Sequence, residues 1–186
     1  MTVTMEEIEE GLTHANIDTR FGWVRRMDFT PTPEQIERGL TDVDEWIRAA
    51  WAERMDWTPT PEQIEKGQSD KAKEVRYYWA RRMDFTPIPA QIERGLTDEN
   101  KWVRLAWAER ADCDIPHELV ESLLKDDFED VVAVCIKRVH MEWTDTQIQE
   151  GLLHPQKAIR EAWVYVAQSR KDQSITFSED IFSPSI

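Results

Sequence analysis

The sequence predicts an all-α protein, a right-handed α-solenoid of six 28-residue two-helix repeats. Three observations lead there. A period of 28 runs through the chain without a slip, each period carries two helix-start signals, and no segment alternates polar with apolar residues as a strand would. The copies begin at Ile8, Ile36, Ile64, Ile92, Val120 and Ile148. Whole columns repeat. Trp23, Trp51, Trp79, Trp107 and Trp163 share one, with Cys135 in the fifth copy. Arg20, Arg48, Arg76, Arg104 and Arg160 share a second, Arg26, Arg54, Arg82, Arg110 and Arg138 a third, and Gly11, Gly39, Gly67, Gly95 and Gly151 a fourth.

The first helix of a copy opens at Thr32-Pro33-Glu34-Gln35, with Thr as N-cap, Pro at the first helical position and Gln three residues after the Thr. It runs through Ile36 and closes at Gly39, which suits a left-handed C-cap. The second helix opens at Thr41-Asp42-Val43-Asp44 and carries Ile47, Trp51 and Met55 as an apolar stripe. It ends near Asp56, and Pro59 forbids continuation. The same signals recur at Thr60-Pro61 and Thr86-Pro87, and Thr4-Met5-Glu6-Glu7 supplies the opening of the first copy. A pair of such short helices cannot bury its stripe alone, so the copies must stack. Residues 1–175 then form a single solenoid domain. Residues 176–186 form an acidic polar C-terminal tail, flexible or docked as a cap, since the periodicity stops after Lys171.

A loop Asp followed by Ile-Arg and small residues, as in Asp42-Val43-Asp44-Glu45-Trp46-Ile47-Arg48-Ala49-Ala50, resembles the HEAT-type solenoid signature. The Thr-Pro-Thr-Pro-Glu-Gln-Ile run before the next Gly-Leu is also similar to the bacterial leucine-rich repeat variant. The resemblance covers residues 8–175 and implies an architecture, not an activity. The sequence departs from it by placing Trp where such repeats carry a smaller apolar residue. It also lacks the cysteine cluster of some variant-repeat proteins, so no iron–sulfur role carries over.

The charge is unusual, with 37 acidic against 23 basic residues and a net −14. Affinity for a phosphate backbone comes from Lys and Arg displacing counterions, so direct nucleic-acid binding through a general positive field is excluded. The third copy is the basic exception, carrying Lys66, Lys71, Lys73, Arg76, Arg81 and Arg82. No apolar run reaches the ~18 residues of a membrane span, and the start lacks a secretory pattern. A cytoplasmic protein with no membrane attachment is expected. Cys113 and Cys135 form neither a disulfide framework nor a metal motif.

Neither a cofactor nor a metal site is expected, and no catalytic residues are found. His14, His117, His140 and His154 have no HExxH-like spacing, and phosphate-loop and GxSxG motifs are absent. The Trp column reads as a stacked interior row. The first Arg column reads as a ladder with the Asp six residues earlier, in the pairs Asp42/Arg48, Asp70/Arg76 and Asp98/Arg104. Arg54/Asp56, Arg82/Asp84 and Arg110/Asp112 suggest a second ladder. The fifth copy breaks the pattern, with Val132 for the ladder Arg, Cys135 for Trp, Leu123 for Gly and Cys113-Asp114-Ile115-Pro116 for the Thr-Pro run.

One pattern stands outside the core. Along the second helices, bulk alternates between copies: Asp18 and Phe21, then Trp46 and Ala49, then Glu74 and Tyr77, then Trp102 and Leu105. These positions are i and i+3 and share a face. Either they compensate volume between layers, or they form an aromatic binding surface rimmed by Asp44, Glu45, Glu53, Glu99 and Glu109. On the second reading Phe21, Trp46, Tyr77, Trp102 and Leu105 are the anchors. The expected function is non-enzymatic binding of another protein with a basic surface. The alternative is an acidic nucleic-acid mimic of the phage anti-defence type, an inhibitor occupying the basic groove of a nucleic-acid-handling enzyme.

Overall fold

The computed structural model describes residues 3–138 and 143–179, with side chains described as far as Lys171. His140 and residues 180–186 of the expected tail lie outside these. Among the described residues every element is helical. The chain divides into two compact units, Met1–Cys113 and Asp114–Ile186, parted where the fifth copy loses its Thr-Pro run.

The first unit holds four copies. Their first helices are α1 (Met5–Leu12), α3 (Pro33–Leu40), α5 (Pro61–Gln68) and α7 (Pro89–Leu96). Their second helices are α2 (Ile17–Val24), α4 (Glu45–Glu53), α6 (Lys73–Arg81) and α8 (Lys101–Glu109). Each first helix packs on the second helix of its own copy, and α2, α4, α6 and α8 pack on one another in sequence. Eight or nine residues give barely two turns, too few to persist alone. The capping boxes therefore matter. Thr32 and Thr60 each exchange two hydrogen bonds with the Gln three residues on, and Thr4 does so with Glu7. In the fourth copy the helix starts at Pro89, not Pro87. Ile88 holds the N-cap position without a side-chain acceptor, and only the Gln91 half of the exchange survives, at 3.1 Å.

Two arginine ladders join the layers, and they point in opposite directions. In the first, Arg48 donates through Nε and Nη2 to both oxygens of Asp70 in the following copy, at 2.7 and 2.9 Å. Its Nη1 reaches the carbonyls of Asp42 and Val43 in its own loop. Arg20 pairs likewise with Asp42, and Arg76 with Asp98. The partner is thus the Asp 22 residues ahead, not the Asp six residues behind that sequence spacing suggested. In the second ladder Arg82, 1% exposed, points back. It donates to the carbonyls of Ala52, Arg54 and Trp57 in the preceding copy at 2.6–3.1 Å, and Asp84 holds its remaining donors. Its guanidinium lies over the rings of Trp57 and Trp79, 4.3 and 5.3 Å from their centroids. Arg54 and Arg110 repeat this arrangement, with Phe29 and Phe85 taking the place of Trp57. These cations are buried because every donor finds an acceptor.

The tryptophan column is interior, with Trp51 and Trp79 each 1% exposed. The glycine column explains how it fits. A Cβ on Gly39 would lie 2.0 Å from Trp51 Nε1, and Gly11, Gly67 and Gly95 show the same overlap with Trp23, Trp79 and Trp107. No glycine among the described residues has positive φ, and α3 is capped by Thr41, so the expected left-handed C-cap is corrected. Glycine is present so that an indole can lie directly on the helix backbone. Met55 is also corrected. It is 54% exposed, past the end of α4, and the buried stripe consists of Ile47, Ala50 and Trp51.

The second unit contains α9 (His117–Leu123), α10 (Glu129–Arg138), α11 (Asp145–Leu152) and α12 (Lys157–Glu179). Its core joins Val132, Ile136, Trp143, Ile148, Ile159 and Trp163. Trp143 meets Trp163 edge-on with centroids 4.8 Å apart. The irregular fifth copy loses its features in matched pairs. Trp gives way to Cys135 where Gly gives way to Leu123, and both replacements are buried. Val132 stands where a ladder Arg would be, and His154 stands where its Asp partner, 22 residues on, would be. His154 Nδ1 keeps the Asp's other task, accepting a hydrogen bond from the Gln156 N–H at 3.3 Å. The helical backbone of α12 continues through Glu179, past both Lys171 and the expected boundary at 175, because no Pro or Gly interrupts it before Pro184.

Candidate functional site

The outward face of α4, α6 and α8 is where the copies differ most. Trp46 and Trp102 occupy equivalent positions two layers apart and are each 50% exposed. Both sit in the first turn of a helix whose N-cap holds them. Asp44 Oδ1 accepts from the Trp46 N–H at 2.8 Å, and Asn100 Oδ1 from the Trp102 N–H at 3.0 Å. Between them α6 presents Tyr77 and Tyr78, where the neighbouring copies have Ala49-Ala50 and Leu105-Ala106. The two phenols meet edge-on, their centroids 5.4 Å apart.

Trp46, Tyr77, Tyr78 and Trp102, with Lys73, Glu74 and Asn100, line one groove of about 230 Å³ open to solvent. A second concavity adjoins it across the same two tyrosines, lined by Ala52, Glu53, Met55, Arg81 and Arg82. Arg81 Nη1 donates to Tyr77 Oη at 2.6 Å, and this bond is the main influence raising the Arg81 pKa. Burial raises the Tyr78 pKa, and the Glu53 charge adds to that, so the phenol stays neutral. Lys73 and Glu74 face each other at 3.8 Å.

The ten residues singled out from sequence fall into three groups. Trp46, Tyr77 and Trp102 converge on the groove. Glu45, Glu53 and Glu109 are exposed on α4 and α8, Glu53 lining the adjoining concavity, and Glu99, its side chain 86% exposed, lies 3.2 Å from Arg76 Nη2. The remainder serve other ends. Asp44 is an N-cap, Phe21 packs against the core beneath Arg25, and half-buried Leu105 does not line the groove. Ala49, paired with Trp46 in the alternation, is buried and contributes no surface. Sequence reasoning missed Tyr78 and Asn100. The Tyr77-Tyr78 doublet in a column otherwise occupied by small residues was the available signal for the first.

Among the described residues no cluster of three His, Cys, Asp or Glu side chains is placed to hold a metal ion, and no helix is long and apolar enough to cross a membrane.

No protein-family model matches this sequence, and no curated protein matches it. A solved structure described as a leucine-rich repeat variant with a novel repetitive structural motif is similar in fold, with a TM-score of 0.60 and 22% identity over 86% of this chain. The chain spans 60% of the length of that structure. At this identity the likeness concerns the fold, an α-solenoid of helical repeats.

Proposed function

We propose that the chain is a non-enzymatic protein-binding solenoid of the leucine-rich-repeat-variant kind, which grips a segment of another protein across α4, α6 and α8. The observation that carries this reading is the pair of half-exposed tryptophans. Trp51, Trp57, Trp79, Trp107, Trp143 and Trp163 are buried in the stack, whereas Trp46 and Trp102 flank an open groove. Large aromatic side chains beside a concavity are the usual anchors of a protein interface. A lone exposed apolar residue needs no explanation. Two tryptophans at matched positions, with two tyrosines between them, do.

The test is capture of partners from lysate of the source cells by the tagged protein and by a Trp46→Ala/Trp102→Ala variant, with duplex DNA added as a competitor. A partner retained by the parent and lost by the variant supports the reading. Equal retention by both would place the interface elsewhere. Displacement of a Trp-independent partner by DNA would favour nucleic-acid mimicry instead.

A further inference from the structure

We infer that the groove is a seat for a cation: it takes an arginine or lysine side chain from a basic, extended segment of the partner. The cation stacks on the aromatic rings that line the groove, with Glu74 as counter-charge. This rests on the protein-binding reading of the same face and makes it chemically specific.

Four aromatic rings and one carboxylate line the groove. The face of an aromatic ring attracts a cation within about 6 Å of its centroid. Two of these rings already do so with the chain's own side chains. Lys101 Nζ lies 5.5 Å from the Trp102 ring, and the Arg81 guanidinium 5.4 Å from the Tyr77 ring. The intramolecular partner of Glu74 is Lys73, whose side chain is largely exposed. An exposed pair of this kind contributes little, so an incoming cation can displace it.

The groove lining itself carries one charge of each sign, Lys73 and Glu74, with Lys101 beside Trp102, and the carboxylates beyond it on α4 and α8 add negative charge. Glu45, Glu53 and Glu109 are exposed and, among the described residues, lie within ion-pair distance of no cation. Arg81 is occupied by the Tyr77 hydroxyl, and Arg76 and Arg82 are buried in the ladders. Packed helices lie ~8–10 Å apart, and three residues of an extended chain advance ~10 Å. A segment laid across α4, α6 and α8 with a basic residue at every third position therefore presents one cation per layer, and the one over α6 meets Glu74, which stands at the level of Trp46 and Trp102.

The test is fluorescence anisotropy with three labelled Ser/Gly nonapeptides, carrying arginine, lysine or neutral citrulline at every third position. They are titrated with the full chain and with Trp102→Ala and Glu74→Gln variants whose melting temperatures match the parent. The arginine and lysine peptides are expected to bind and the citrulline peptide at least tenfold more weakly. Trp102→Ala should weaken the arginine peptide at least tenfold and Glu74→Gln at least threefold. Equal binding of the citrulline and arginine peptides would overturn the cation seat while leaving a segment-binding groove. Arginine binding unchanged by both substitutions would reduce it to general attraction by net charge and overturn it too. No binding of any peptide, with a lysate partner still lost on removal of Trp46 and Trp102, would overturn the inference and spare the broader reading.

Discussion

Gly39 and Trp51 share one volume: the space a Cβ would take on the glycine is filled by the indole, whose Nε1 would be 2.0 Å away. The ring is buried and held under Arg54, so it has nowhere to swing. Gly39→Ala should therefore destabilise the first unit. Its gain of about 1 kcal/mol in helix propensity is outweighed by overpacking of about 3 kcal/mol. Urea unfolding measures the net loss. A stability equal to or above the parent would mean that the glycine serves the backbone alone.

The fifth copy offers the reverse experiment. Cys135→Trp alone should clash with Leu123, and Leu123→Gly alone should open a cavity costing roughly 2–5 kcal/mol. The double substitution restores the combination found in the other copies and should recover most of both losses. A double-mutant cycle on unfolding of the second unit should show a favourable coupling above about 2 kcal/mol. Simple additivity would contradict the pairing.

Gln68 stands in a column otherwise filled by Leu12, Leu40, Leu96, Leu124 and Leu152. It is 5% exposed, and neither its amide nitrogen nor its amide oxygen has a hydrogen-bond partner. An unpaired buried amide costs about 1–3 kcal/mol. Gln68→Leu should raise stability by that order, seen as a higher midpoint in thermal or urea unfolding. A drop would show that the amide has a partner in solution.

The ladders also predict the response to acid. Burial pushes the Asp70 carboxyl up, but the Arg48 hydrogen bonds, the Ala72 N–H and the charges of Arg48 and Lys71 more than reverse it, so its pKa is lowered. Asp56 is lowered mainly by its hydrogen bonds to Arg54. Carboxyls depressed in the folded state stabilise fully above their unfolded value, near pH 4, and that contribution fades as pH falls through the lower folded values. Unfolding free energy should thus be level above about pH 5 and decline below about pH 4. Asp70→Asn should cost roughly 3 kcal/mol at neutral pH, because it strands Arg48, and should make the acid decline shallower. An unchanged slope would remove Asp70 from the account.

The two thiols should react unequally. Burial pushes the Cys135 pKa up to about 11, so little thiolate forms near pH 8 and the sulfur is enclosed as well. Iodoacetamide should label partly exposed Cys113 in the native protein and Cys135 only when the second unit opens. Mass spectrometry of the labelled peptides reads this directly, and equal native labelling would refute it.

The period, the two helices per copy, the N-caps and the interior tryptophan row were legible in the sequence because each depends on spacing along one chain. What spacing could not give was the partner across a layer. Asp42 lies six residues before Arg48, yet its carboxylate belongs to Arg20, because stacking brings the loop of one copy beside the helix of the copy before it. The glycine column looked like a helix-capping device and is a packing device, a distinction visible only once the indole is in place. At the candidate site the tryptophan alternation singled out Trp46, Tyr77 and Trp102, which line one groove. It could not separate them from Phe21 and Leu105, whose equivalent positions turn inward or away from the groove.

The opposed ladders carry a consequence for length. The second and third copies each reach forward, through Arg48 and Arg76, and backward, through Arg54 and Arg82. Removing residues 36–63 would leave Arg20 facing Asp70 and Arg82 facing the carbonyls of Val24, Arg26 and Phe29, the same chemistry as before. Inserting a further 28 residues at the same joint would do likewise. The chain is written as interchangeable words, so evolution or an engineer can shorten or extend this part of it by whole copies without orphaning a charge. A deletion of any other length would mismatch every rung at the joint.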